Sequence, residues 1–218
     1  MTRGLLQEEM DKVRRELTLM AARVEENLGK SIIILKTGRH GLADEVKKTS
    51  GEIDRQQLII EDMALVLIAT QQPVARDLRE MITVFKITSG LERIDDYGKH
   101  LTKAAVKLSD KPAFRLMERI ERMAETGKEM LTAAFTAYLM QDSDMARNAA
   151  FMDDKIDAEH KALIEEVLVF MKDNPSLVKA ASRLFRLSGY MERLGDHITN
   201  ICEGIIFMNE GCHEDLNR

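Results

Sequence analysis

Two stretches of this chain set acids one helical turn apart: LERIDDYGKHL at residues 91–101 and MERLGDHITNI at residues 191–201. Each places a glutamate four residues before an aspartate, Glu92 with Asp96 and Glu192 with Asp196. On a helix, positions four apart share one face, so each pair presents two carboxylates side by side. Like charges at that spacing are destabilising unless a cation sits between them. Hard oxygen ligands of this kind suit a metal ion held in a helix bundle. Further acids are placed to join them. Asp153 and Asp157 are four apart on the segment preceding the second pair, and Asp54 with Glu61 share a face on the segment preceding the first. Asp95 adjoins the first pair, while His100 and His160 are spaced to add an imidazole. Glu203 continues the second acidic stripe, and Asn200 stands where the first copy has His100.

Acids make up 37 of the 218 residues, so acid-x-x-x-acid pairs also arise by chance. A solvated face with the acids paired to Arg93, Arg193 or Lys99 is the simpler alternative. The duplication gives the pairs their weight. At an offset of 100, LREMITVFKITSGLERIDD (78–96) matches VKAASRLFRLSGYMERLGD (178–196) at Phe85/Phe185, Glu92/Glu192, Arg93/Arg193 and Asp96/Asp196. An offset of 103 aligns Ile53 and Asp54 with Ile156 and Asp157. The pattern is that of one duplicated unit.

The elements that must position these acids are helices. Trp is absent, aromatics are 5% of the chain, and good helix formers dominate. Apolar residues recur at three and four, with one stripe running Leu5, Val13, Leu17, Met20, Val24, Leu28, Ile32, Leu35, another through Ile53, Ile60 and Leu67, and a third through Leu78, Ile82 and Phe85. Pro73, Pro112 and Pro175 each stand where a helix can begin. The spacing predicts an all-α fold of two tandem, similar three-helix bundles, with six long helices at about 4–37, 43–70, 74–109, 113–140, 144–172 and 176–209. The domains are then 1–110 and 111–218, with the seam at SDKPA, residues 109–113.

A net charge of −5 and a pI near 5.7 leave no broad basic surface for nucleic acid. No apolar run is long enough to span a bilayer, and Cys202 and Cys212 make no disulfide framework, which predicts a cytoplasmic protein. Neither a phosphate-binding glycine loop nor a nucleophile elbow is present. The single Glu-x-x-His, Glu210 to His213, has no second copy of the sort a di-metal carboxylate enzyme needs. Such an enzyme is one alternative. A metal-free scaffold with an acidic recognition face is another. Whether the 14 methionines fill the core or build a partner surface is open at this level.

The QPVARDLR segment at 72–79, Ile53-Asp54, LERIDDY at 91–97 and MERLGDHITNI at 191–201 together resemble the PhoU family of bacterial phosphate-signalling regulators along the whole chain. The resemblance implies a non-enzymatic, metal-binding negative regulator of phosphate uptake and the phosphate-starvation response. It implies two partners, the PstB-like ATPase of the phosphate ABC transporter and a PhoR-type sensor histidine kinase, reached peripherally at the membrane; it leaves a homodimer open. Iron or zinc, in a multinuclear cluster, is the implied cofactor. Carried over, the ligands are Glu92, Asp96, Glu192 and Asp196, with Asp54 and Asp157 from the facing helices. Two departures fall in the first copy. The glycine usual before the motif aspartate is Gly195 in the second copy but Asp95 in the first, and the asparagine kept as Asn200 is His100. The two sites are therefore expected to differ in metal preference or occupancy.

Overall fold

The computed structural model describes residues 3–108 and 116–217. Six long helices carry the fold: α1 (Arg3–Thr37), α2 (Ala43–Gln71), α3 (Ala75–Leu108), α4 (Met117–Met140), α6 (Asp153–Asp173) and α7 (Val178–Glu210). A seventh, α5 (Ser143–Ala150), has eight residues. It corrects the expected single helix at 144–172. The chain turns at Phe151 and Met152, where Met152 N–H bonds the carbonyl of Ala149. No proline or glycine marks that break, so the periodicity runs through it. The start of α5 was signalled, since the Asp142 side chain caps it by accepting from the Met145 N–H. The expected seam at 109–113, with Pro112, lies outside the described residues.

α1, α2 and α3 pack mutually as the first bundle, and α4, α5, α6 and α7 form the second. The first stripe is buried from Val13 to Leu35, leaving only Leu5 of its members exposed, and Ile53, Ile60 and Leu67 are buried on α2. The third stripe is corrected. Ile82 is 41% exposed and Phe85 only partly buried, whereas Met81, Val84, Ile87, Leu91 and Ile94 are fully buried. The reason is packing from two sides: α3 meets α1 and α2 on one face and α7 on another, so its buried arc is wider than one stripe. Eight of the methionines are buried, among them Met10, Met20, Met81 and Met130, which places them in the core.

The α3/α7 contact is the most extensive between helices and joins the two bundles. Thr83 Oγ1 donates to the Gly204 carbonyl at 3.2 Å across it. Tyr97 and Tyr190 stack there with centroids 5.8 Å apart. Beside it, α1 packs on α4, and Arg14 grips the buried Glu80 of α3 through two bonds of 2.5 and 2.7 Å. Both motif acids lie on these central helices, α3 and α7, each facing an outer helix of its own bundle.

Candidate functional site

In the first bundle the motif acids face cations. Glu92 and Asp96 are half-buried on α3, and Asp54 on α2 is exposed. Lys99 Nζ, one turn along α3, forms a close ion pair with Asp96 and lies 3.8 Å from Asp95. Arg93 reaches Glu92 at 3.5 Å. Burial is the main cause that raises the Glu92 pKa, helped by Asp96 and opposed by Arg93. Asp95 is buried, and its Oδ1 accepts from Asn27 Nδ2 of α1 at 2.7 Å. Its other oxygen, Oδ2, has no hydrogen-bond partner. Burial pushes the Asp95 carboxyl up against the lowering effect of Ser50 and Asn27.

The second bundle repeats the acids with fewer ion pairs: Arg193 and His160 act on Glu192, and His197 and Arg193 on Asp196, only as more distant charges. Asp153, Asp154, Asp157, Glu192 and Asp196 line one pocket of about 530 Å³ between α6 and α7. Among the described residues, Asp153, Glu192 and Asp196 make no ion pair; Asp157 has only the exposed Lys161 at 3.8 Å. Thr199 stands where Lys99 stands in the first bundle. Asp153 Oδ1 is buried and unpartnered, and Oδ2 takes a long bond of 3.4 Å from the Thr199 hydroxyl. Burial, then the charges of Asp157 and Asp196, raise the Asp153 pKa to about 7. Burial and the Asp196 charge raise Glu192, and burial and Asp157 raise Asp196.

Gly195 explains how Asp153 enters. A Cβ at this position would stand 2.0 Å from Asp153 Oδ1, so the carboxylate occupies the space a side chain would take. The first bundle inverts this arrangement. Offset 103 pairs Asp153 with Ser50, and offset 100 pairs Gly195 with Asp95. One bundle has its inner aspartate on the middle helix facing a glycine; the other has it on the last helix facing a serine. The sequence shows the Gly195/Asp95 departure and places Asp153 and Asp95 beside the motif pairs, but the pairing of Asp153 with Ser50 and the place of Asp154 in the pocket emerge only with the structure.

The remaining candidates fall elsewhere. His100 stacks on Tyr190 across the bundle junction with centroids 4.4 Å apart. His160 Nδ1 shares a 2.5 Å hydrogen bond with Ser188. Asn200 is exposed, and Glu61 accepts from Gln57 and Thr88. Glu203 accepts the Leu216 N–H at 2.8 Å. Glu210 and His213 do not form a ligand pair: His213 stacks on Phe207, while Glu210 is bonded by Arg147.

The same sequence that carries the acids decides its kinship. The PhoU domain family matches residues 17–105 and again residues 120–205, on either side of the expected seam. The chain belongs to the PhoU family. A phosphate-specific transport system accessory protein PhoU homolog of Clostridium acetobutylicum is 31% identical over the full length of both chains. A PhoU homolog of the same description from Rhizobium meliloti is 30% identical, covering 97% of this chain and 90% of its own. The crystal structure of PhoU from Pseudomonas aeruginosa superposes with a TM-score of 0.87 at 26% identity, covering 94% of this chain and 99% of that one. That of the phosphate transport system regulatory protein PhoU from Streptococcus pneumoniae gives 0.88 at 26% identity, covering 96% and 99%.

A metal is the group a PhoU-like chain leads one to test against these residues. The second pocket fits: it offers an orphaned buried oxygen, carboxylates at Asp153, Glu192 and Asp196 whose pKa values are raised by burial and then by neighbouring acids, and no Lys or Arg in its lining. The first cluster fits less well, because Lys99 stands among its acids. Neither cluster is drawn tight. Among the described residues, the one trio of acid, Cys or His ligand atoms within 4.8 Å of each other is Glu210, Cys212 and Glu214. Arg147 Nη2 already bonds both of those glutamates, at 2.8 and 2.6 Å, so this exposed trio serves a guanidinium.

Proposed function

We propose that this protein is a metal-binding negative regulator of phosphate uptake, acting as a helical adaptor between the phosphate ABC transporter ATPase and a PhoR-type sensor kinase. The relatives' descriptions as accessory and regulatory proteins of phosphate transport support the coarse role. The observation that carries the metal is Asp153 Oδ1, buried without a partner in a pocket of acids with no cation. Asp153, Asp157, Glu192 and Asp196 would hold the ion, iron or zinc, with Glu92, Asp96 and Asp54 forming the weaker first site. A cation bound there neutralises the acids and ties α6 to α7. Metal status thereby changes the charge and stiffness of one face of the adaptor. No helix among the described residues is long and apolar enough to cross a membrane, so the association with membrane complexes is peripheral in this reading.

Elemental analysis of untagged protein dialysed against iron or zinc tests the metal. Wild type should retain at least one atom per chain after desalting, and Asp196→Asn should lose at least half of it while keeping its helical circular dichroism. Retention unchanged in Asp196→Asn removes the second pocket from the reading. Pulldown against the transporter ATPase and the kinase tests the adaptor role; no capture of either by metal-loaded protein sinks it.

A further inference from the structure

The second bundle holds a piece of its own chain in a groove, and among the described residues nothing crosses the same groove of the first bundle. α7 ends at Gly211, whose φ of 77° only glycine adopts without strain, and the segment 212–217 runs back along the bundle. Arg147 takes Glu214 through bonds of 2.6 and 3.0 Å. Glu203 accepts from the Leu216 N–H at 2.8 Å, and His213 stacks on Phe207 at 4.3 Å. Leu216 and Asn217 then lie against the pocket beside Ala150 and Asp153.

By the internal offsets, the tail's partners Arg147, Ala150, Glu203 and Phe207 correspond to Asp44, Lys47, Lys103 and Lys107. Those four residues line one pocket of about 520 Å³ between α2 and α3. Lys99 also lines the pocket but is paired with Asp96, while the exposed Val106 supplies an apolar wall over the buried Val46 and Thr102. Among the described residues Lys47, Lys103 and Lys107 form no ion pair, and no segment of chain crosses this groove. The bundle fold does not require the lysines, since its second copy is built with Ala150, Thr199, Glu203 and Phe207 in their places. Lys47, Lys103 and Lys107 against Asp44 and Asp54 make the groove cationic.

We propose that the α2/α3 groove of the first bundle docks an extended acidic segment of a partner protein, in which an apolar side chain is flanked by carboxylates. The chain's own Glu214-Asp215-Leu216 shows the form such a segment takes in the sister groove. Carboxylates meet Lys103, Lys107 and Lys47, and the apolar residue lies on Val106. The inference adds a docking slot to the adaptor reading and does not depend on a bound metal.

The test is fluorescence anisotropy of the full chain with a labelled peptide of sequence EDLEDLE, in chelator and at low salt. Binding should be at least about tenfold tighter than for KKLKKLK, and weaker for EDSEDSE. Gly51 gives a clean block. A Cβ there meets nothing within 4 Å, so Gly51→Leu fills the groove while improving the propensity of α2. Both Gly51→Leu and Lys103→Glu should weaken binding at least about fivefold with melting temperatures kept. EDLEDLE binding unaltered by either variant, absence of binding, or equal binding of EDSEDSE overturns the proposal. So does complete displacement of the peptide by equimolar AMP, which assigns the groove to small organic phosphates instead. The transporter and kinase take no part, so failure here leaves the adaptor reading standing, and failed pulldowns leave this one.

Discussion

The two bundles share a backbone plan and four motif acids yet differ in how those acids are paired. In the first, Lys99 and Arg93 hold Asp96 and Glu92, and Asn27 holds Asp95. In the second, Asp153, Glu192 and Asp196 make no ion pair among the described residues. In both bundles burial raises carboxyl pKa values, and one oxygen of the inner aspartate, Asp95 or Asp153, has no hydrogen-bond partner. An aspartate has crossed from one helix to its neighbour: Asp95 opposite Ser50 in one bundle, Asp153 opposite Gly195 in the other. The lesson is that a duplicated fold fixes where the carboxylates sit, while the residues around them decide whether they are ion-paired or left facing one another.

The crossing can be broken most sharply at Gly195. Gly195→Asp gives the second bundle both aspartates at once, with the new side chain beginning 2.0 Å from Asp153 Oδ1. We expect a loss of about 3 kcal/mol, or roughly 6–12 °C in melting temperature. Adding Asp153→Ser, which copies the first bundle, should recover at least half of it, as a double-mutant cycle by thermal denaturation would show. Additive losses would mean the two positions are not exchanged partners. Next in size is Asn27→Ala. Asp95 then loses its 2.7 Å donor within the core, at a cost of about 2 kcal/mol read by urea denaturation.

Asp153→Asn has the opposite sign. Its carboxyl titrates near 7 in the folded chain and near the ordinary value when unfolded, so between those values the folded state binds the extra proton. Stability of metal-free protein therefore falls as pH rises through that window, and the variant escapes the loss. After discounting for solvent screening, we expect Asp153→Asn to gain about 1–2 kcal/mol at pH 8 in chelator, fading to nothing near pH 4. In excess metal the same variant should be the less stable protein, because it loses a ligand. The smallest effect belongs to Lys99→Thr, which imports the second bundle's residue. Its pair with Asp96 is partly exposed, so stability should change by about 0.5 kcal/mol. Metal retention by the first site should rise, read by elemental analysis in an Asp196→Asn background. No gain would mean that Lys99 is not what separates the two sites.

Much of this was legible in the chain. Helix periodicity and the offsets of 100 and 103 locate both bundles and the four motif acids, because duplication and amphipathic spacing are written in residue order. The importance of Asp153 was not, since it depends on the absence of a Cβ across the helix pair at Gly195, a three-dimensional vacancy with no linear signature beyond the glycine itself. The break at Phe151 lacks any breaking residue. The buried arc of α3 was misread because burial by α7 follows from how the bundles meet, and each stripe was judged within one helix. Nothing in GCHEDLN signals a return along α7, which needs the partners Arg147 and Glu203 to be seen together.

The stacked Tyr97 and Tyr190 have a use in the laboratory. The chain has no tryptophan, three tyrosines and seven phenylalanines, so ultraviolet emission excited beyond the phenylalanine absorption band comes from the three tyrosine rings alone. Two are the stacked pair, with Tyr97 next in sequence to Asp96, and the third, Tyr138, is buried near Arg14 and Glu80 where α1, α3 and α4 meet. Every photon thus originates at the joint between the bundles. A change in tyrosine emission intensity on adding zinc or a peptide would report altered surroundings at that joint with no label attached, and an unchanged intensity would mean that binding leaves the three rings as they are.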